Sequence, residues 1–190
     1  MADLFQQQTP LVQIEFAEPK GKAPRIEEVP FLGYLNLRGR NTAFVAAVLK
    51  VLGCEPPTAA NTVVEAGERR IFWLGPDEWL VITPAGQQDD LQAKLVVALK
   101  GAFSSVVDNS SGMTMLRITG ENAAALLATD CPLDLHPKAF QYGHCAQTRL
   151  AKSGMILTPH KDGAGFDVII RRSFGDYLLH WLQDAAIAFE

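Results

Sequence analysis

Leu35-Asn36-Leu37-Arg38-Gly39-Arg40-Asn41-Thr42-Ala43-Phe44-Val45-Ala46-Ala47 returns, 81 positions later, as Leu116-Arg117-Ile118-Thr119-Gly120-Glu121-Asn122-Ala123-Ala124-Ala125-Leu126-Leu127-Ala128. Five of the thirteen positions are identical, and Leu37 meets Ile118. In each copy, apolar residues at alternate positions describe one face of a strand. A glycine ends the strand, and an asparagine offers its side chain to the first amides of a helix. The recurrence predicts a duplicated strand-helix unit.

Working outward, Phe44, Ala47, Val48, Val51 and Leu52 fall at helical spacing, and Gly53 stands where a left-handed residue closes the helix. Val63 and Val64 predict a short strand after the Pro56-Pro57 break. Ile71-Phe72-Trp73-Leu74 and Trp79-Leu80-Val81-Ile82 flank the turn Gly75-Pro76-Asp77-Glu78 as a hairpin. Leu91, Leu95, Ala98 and Leu99 predict a second helix ended by Gly101.

The second half repeats this order through Cys145–Leu150, Met155–Leu157 and Phe166–Ile170 to a last helix. An offset of 87 there pairs Leu91, Leu95 and Ala98 with Leu178, Leu182 and Ala185. Ser173 and Asp176 have capping-box spacing, with Phe174, Tyr177, Leu178, Trp181, Leu182 and Ala185 as the expected apolar face. The predicted fold is α+β: two tandem similar units, about residues 31–102 and 103–190, each strand-helix-strand-hairpin-helix. They pack against one another about a pseudo-two-fold axis, since each alone would leave a sheet face exposed. Residues 1–30, punctuated by Pro10, Pro19, Pro24 and Pro30, read as an extended N-terminal arm outside that domain. Its apolar residues Leu11, Ile14 and Phe16 are candidate partner contacts.

The chain has 190 residues, 48% of them hydrophobic, which is ample for a core that needs no metal or disulfide. Seventeen basic and twenty-one acidic residues leave a net charge of −4, which argues against nucleic acid or an anionic membrane surface as partner. Met1 to Gln8 lack the basic and apolar regions of a secretory signal, and no apolar run is long enough to span a bilayer. Cys54, Cys131 and Cys145 form no closed disulfide framework, so a reducing cytoplasm is expected.

Chemistry-bearing motifs are scarce. The sequence carries no Gly-x-Ser-x-Gly, no His-Glu-x-x-His and no phosphate-cradling glycine loop with its lysine. Gly163-x-Gly165 lies between two strands and lacks a third glycine, so it reads as a turn. His136, His144, Cys131 and Cys145 lack the ligand spacing of structural zinc sites. Trp181 is expected in the core, whereas Trp73 and Trp79 are core residues, anchors at a protein interface, or a stacking platform for a pterin or flavin ring. Asp108-Asn109-Ser110-Ser111-Gly112 reads as a turn whose side chains satisfy their own backbone. No catalytic, cofactor-binding or metal-binding residue is assigned.

Four phrases carry a resemblance: Tyr34-Leu35-Asn36-Leu37-Arg38-Gly39, Trp73-Leu74-Gly75-Pro76-Asp77-Glu78-Trp79-Leu80, Val107-Asp108-Asn109-Ser110-Ser111-Gly112, and Arg172-Ser173-Phe174-Gly175-Asp176-Tyr177-Leu178. Together they resemble the gamma subunits of heterotetrameric sarcosine oxidases. That resemblance implies a non-catalytic assembly subunit of a cytoplasmic complex, with alpha, beta and delta subunits as partners. Such a complex oxidises sarcosine to glycine with oxygen, giving peroxide and formaldehyde or 5,10-methylenetetrahydrofolate. FAD, FMN, NAD, tetrahydrofolate and zinc are then expected on the other subunits, with none bound by this chain. The resemblance also implies a fold akin to the folate-binding domain of glycine-cleavage aminomethyltransferase, and so an alternative: a stand-alone folate-binding or aminomethyltransferase-like protein. Related folate-type proteins carry Lys-Gly-Cys-Tyr-x-Gly-Gln-Glu. The comparable stretch here, Gln141-Tyr142-Gly143-His144-Cys145-Ala146-Gln147-Thr148, lacks the acid.

Overall fold

In the computed structural model, which describes residues 7–190, the chain runs twice through one order of elements. The first unit is β1 (Arg25–Glu28), β2 (Gly33–Gly39), α1 (Thr42–Leu52), β3 (Val63–Ala66), β4 (Arg69–Gly75), β5 (Glu78–Thr83) and α2 (Gln88–Ala98). The second is β6 (Ser104–Asp108), β7 (Met113–Thr119), α3 (Ala123–Ala128), β8 (Ala146–Leu150), β9 (Ser153–Pro159), β10 (Gly165–Arg171) and α4 (Gly175–Ala186). The expected α+β duplication is present, with one change of partners. The first sheet has the order β3-β4-β5-β2-β6 and the second β8-β9-β10-β7-β1. Each unit's leading strand therefore joins the other unit's sheet. Arg25–Glu28 pairs antiparallel with Leu116–Thr119, and Ser104–Asp108 pairs with Leu35–Gly39.

Strand alternation sorts the apolar residues into three layers. Leu35, Leu37, Ile71, Trp79 and Val81 face α1 and α2 in one core, while Leu116, Ile118, Leu157, Val168 and Ile170 face α3 and α4 in another. The alternate residues, among them Tyr34, Phe72, Leu80, Met115, Ile156 and Ile169, form a third cluster between the two sheets. The architecture is helix-sheet-sheet-helix.

At the start of α1 the Asn41 side chain accepts a hydrogen bond from the Phe44 amide at 2.9 Å, and Gly53 at φ 79° closes the helix. Gly39 is required because the Phe44 ring packs where its Cβ would lie. The copy in the second half diverges. Asn122 caps nothing and instead donates from Nδ2 to the Lys22 carbonyl at 3.0 Å. α3 stops after six residues, just before Cys131-Pro132, where the proline has no amide to donate and restricts the residue before it.

Three expectations are corrected. Within the described residues 7–30, the segment is not an arm outside the domain. Its residues 25–28 form the edge strand β1, and Pro10–Ile14 form a turn against α4 rather than an extended strand. The halves 31–102 and 103–190 leave β1 out of the first repeat and do not match the two sheets, because the leading strands are exchanged. The capping box does not form: a 3-10 turn over Arg172–Phe174 precedes α4, whose first turn has no side-chain cap. α4 buries Leu178, Leu179, Leu182 and Ala186, leaving Phe174 and Tyr177 exposed. The absence of a secretory signal was read on Met1 to Gln8, of which residues 1–6 lie outside the described range. No helix among the described residues is long and apolar enough to cross a membrane.

Candidate functional site

The charged group most deeply buried in the described chain sits between the two sheets. Asp167 interrupts the apolar strand Phe166-Asp167-Val168-Ile169-Ile170 at a position that faces the intersheet layer, and it is fully shielded from solvent. Arg117, its register partner on β7, donates from Nε at 2.9 Å and Nη2 at 3.3 Å. His160, just beyond β9, lies 2.8 Å away through Nε2. Arg70 reaches across from β4 of the other sheet and donates from Nη1 at 2.7 Å, with its guanidinium 5.4 Å from the centre of the Phe72 ring. One carboxylate thus joins three strands of two sheets.

Burial alone would raise the Asp167 carboxyl, but hydrogen bonds from His160 and Arg117 and the charges of Arg70 and Arg117 outweigh it. The group is held well below the usual carboxylate range. The same hydrogen bond raises Arg117 further. A carboxylate so stabilised is a poor proton acceptor, so the cluster is better suited to fixing charge than to general-base catalysis.

Beside it opens a cleft of about 870 Å³ walled by Val29, Leu32, Val63, Met115 and Tyr142. Burial raises the Tyr34 hydroxyl, which is enclosed in the intersheet layer without a hydrogen-bond partner among the described residues. Nearby, Thr114 donates to Glu28 at 2.6 Å and Thr158 to the His144 carbonyl at 2.9 Å.

The sequence-derived candidates lie elsewhere. Leu11, expected at a partner interface, is only 2% exposed and belongs to this chain's own second core, with Ile14 and Phe16 half-buried against the same core. Leu11 is therefore not available as an anchor. Gly175 lets it approach α4, since a side chain there would press on Leu11 and Pro10. Trp79 stacks on Phe44 and donates to the Pro57 carbonyl at 2.8 Å, which makes it a core residue. Trp73 and Trp181 are half-buried against separate cores.

Cys131 and Cys145 sit in different clusters. Cys145 is pushed up to about 11 chiefly by burial, so its thiol is unreactive at neutral pH. His136 is exposed and accepts from the Lys138 amide, while His144 lies against Phe140. Ser110 bonds Asp108 and accepts from the Tyr34 amide at 2.9 Å, so that loop satisfies its own backbone. In the stretch 141–148, Gln147 donates to the Leu74 carbonyl at 2.7 Å and Thr148 stands where the folate-type motif has its acid. These residues do not fit that motif's chemistry. The Asp167 cluster was missed by motif searching. Its only sequence signal is an aspartate inside an otherwise apolar strand.

A profile of the sarcosine oxidase gamma subunit family matches residues 38–188. The gamma subunit of sarcosine oxidase from Arthrobacter sp. is 34% identical over 166 residues, covering 86% of this chain and 80% of that one. The counterpart from Corynebacterium sp. (strain U-96) is 32% identical over 179 residues, with 93% and 86% covered. The solved heterotetrameric sarcosine oxidase from Corynebacterium sp. U-96, in complex with pyrrole 2-carboxylate, contains a chain that superposes with a TM-score of 0.87 at 30% identity over 96% of both. Aminomethyltransferase T of the glycine cleavage system from Bartonella henselae gives 0.67 at 14% identity over 85% of this chain and 46% of that one, a likeness of fold alone.

Proposed function

Because the chain belongs to the sarcosine oxidase gamma subunit family, we propose that it is an assembly subunit of a heterotetrameric sarcosine oxidase and does not itself carry out the oxidation. The observation that carries this reading is the superposition along nearly the whole length of a chain from such an enzyme. The site chemistry supports it. The most deeply buried carboxylate among the described residues is already paired with two guanidiniums and an imidazole, and Cys145 is a thiol of raised pKa.

In this reading the partners are the alpha, beta and delta subunits, and the complex is a cytoplasmic oxidoreductase that converts sarcosine to glycine. FAD, FMN, NAD, tetrahydrofolate and zinc reside on those partners. This chain contributes a preformed surface whose rigidity comes from the two packed sheets. The stand-alone folate-binding reading rests on fold likeness only, and one fold hosts unrelated functions.

Co-expression of the four chains with an affinity tag on this one tests the proposal. The expected result is a stoichiometric flavoprotein that oxidises sarcosine, while the isolated chain shows no flavin absorbance and no activity. Flavin retained by the isolated chain after gel filtration, or failure of the other subunits to co-purify, overturns it.

A further inference from the structure

The cleft beside Asp167 carries both signs of charge around an apolar wall. Val29, Leu32, Val63, Ile82 and Met115 form that wall, from the two sheets and the segment joining β1 to β2. Arg70 and Arg117 line the same cleft with side chains 23% and 36% exposed, and Asp167 does not use up their donors. Among the described residues, Arg117 Nη1 and Arg70 Nε have no hydrogen-bond partner, and Arg70 Nη2 meets only the Met115 sulfur, a weak acceptor, at 3.3 Å. Two guanidiniums share one carboxylate, which leaves donors for a second.

The β3–β4 hairpin adds the opposite charge. Glu65 is the register partner of Arg70, so their side chains leave the same face of the sheet, with roughly 5 Å between the Cβ atoms. Arg70 is nonetheless paired with Asp167, and Glu65 and Glu68 line the cleft as exposed residues. The remaining cation at the cleft, Lys161, lies over the Tyr142 ring, 5.9 Å from its centre. A simple anion would be repelled by Glu65 and Glu68, and a simple cation by the guanidiniums. A molecule with a carboxylate and an ammonium a few ångströms apart satisfies both, and an apolar body attached to them covers the wall. The volume of about 870 Å³ is that of a small-molecule site, and a zwitterion as small as glycine would leave the wall bare.

We propose that this cleft binds a zwitterionic α-amino acid with a large apolar side chain. Its carboxylate meets Arg70 and Arg117, its ammonium meets Glu65 and Glu68, and its side chain lies against Val63, Ile82 and Met115. The site is not the folate-type position. Thr148, which stands where the folate-type motif has its acid, lines a separate cleft of about 650 Å³. There Asn36 and Leu80 occupy the repeat positions of Arg117 and Asp167, by the offsets of 81 and 87. The proposal goes beyond the assembly reading and does not depend on it.

The test titrates the full-length chain, labelled at its methionine methyl groups, with L-phenylalanine and L-leucine. Saturable binding with a Kd of about 1 mM or tighter is expected, with the Met115 resonance moving in step. 3-Phenylpropionate, which lacks the ammonium, 2-phenylethylamine, which lacks the carboxylate, and sarcosine, which lacks the apolar body, should each bind at least about tenfold more weakly. Glu65→Gln changes an exposed side chain, so it should keep the thermal midpoint, weaken phenylalanine by about tenfold and leave phenylpropionate no weaker. No saturable shift of Met115 with either amino acid, equal binding of phenylalanine and any of the three truncated probes, or no selective effect of Glu65→Gln overturns the proposal. None of these outcomes bears on co-purification, so the assembly reading is judged separately.

Discussion

At the equivalent register of the two sheets, Asn36 faces Leu80 in the first and Arg117 faces Asp167 in the second. One backbone frame therefore accepts either a neutral pair or a buried ion cluster. The fold does not require the cluster, and a buried ion pair is weak evidence of stabilisation in itself. What distinguishes the cluster is its reach. Arg70 comes from the first sheet, so Asp167 ties the halves together at one end of the intersheet layer only.

The largest expected effect breaks that asymmetry. Asp167→Ala leaves the Arg70 and Arg117 guanidiniums without their shared partner, and the expected loss is about 4 kcal/mol in urea unfolding. Asp167→Leu with Arg117→Asn copies the first half and is expected to recover much of that loss. No recovery would show that the second sheet depends on the ion cluster itself.

The sign of the pH dependence follows from the lowered Asp167 pKa. Its ionised form stabilises the fold above the unfolded value of about 4, and that contribution disappears as pH falls through the lower folded value. The wild type should therefore lose stability on acidification below about pH 4, more steeply than Asp167→Asn.

A smaller effect sharpens the contrast between covered and uncovered helices. Leu11→Ala opens a cavity in the second core and is expected to cost about 3 kcal/mol. Val97→Ala, on the open face of α2, should change the isolated chain's stability by less than about 0.5 kcal/mol. A negligible effect of Leu11→Ala on the thermal midpoint would return residues 8–15 to the status of a free arm.

The smallest difference lies in the repeated asparagines. Asn41→Ala removes a side-chain cap and should cost about 1 kcal/mol, whereas Asn122→Ala, which removes only an exposed bond to the Lys22 carbonyl, should cost less than about 0.5 kcal/mol. Equal effects would mean that the cap at α1 carries no weight.

The local patterns were legible because they are written in neighbouring residues. Phe44, Val48 and Leu52 share one helical stripe, Trp73 and Trp79 face each other across the β4–β5 hairpin, and Leu91 and Leu95 set the inner face of α2. The phase of α4 was not. Phe174 and Tyr177 have the right spacing, yet the helix starts at Gly175, and the distant Leu11 helps to define its inner side. Asp167 was equally hidden, since its partners lie 7, 50 and 97 residues away.

By itself, then, the sequence determined the duplicated unit, the α+β class and the family, since all three follow from period, spacing and short phrases along the chain. The tertiary structure alone decided which strand joins which sheet, which half receives the N-terminal cover, and where a buried charge finds its counter-ions. The physical reason is that strand edges, apolar faces and charges are satisfied by whatever comes near in space. Residues 25–28 and 104–108 found their partners in the opposite repeat, where no local pattern points.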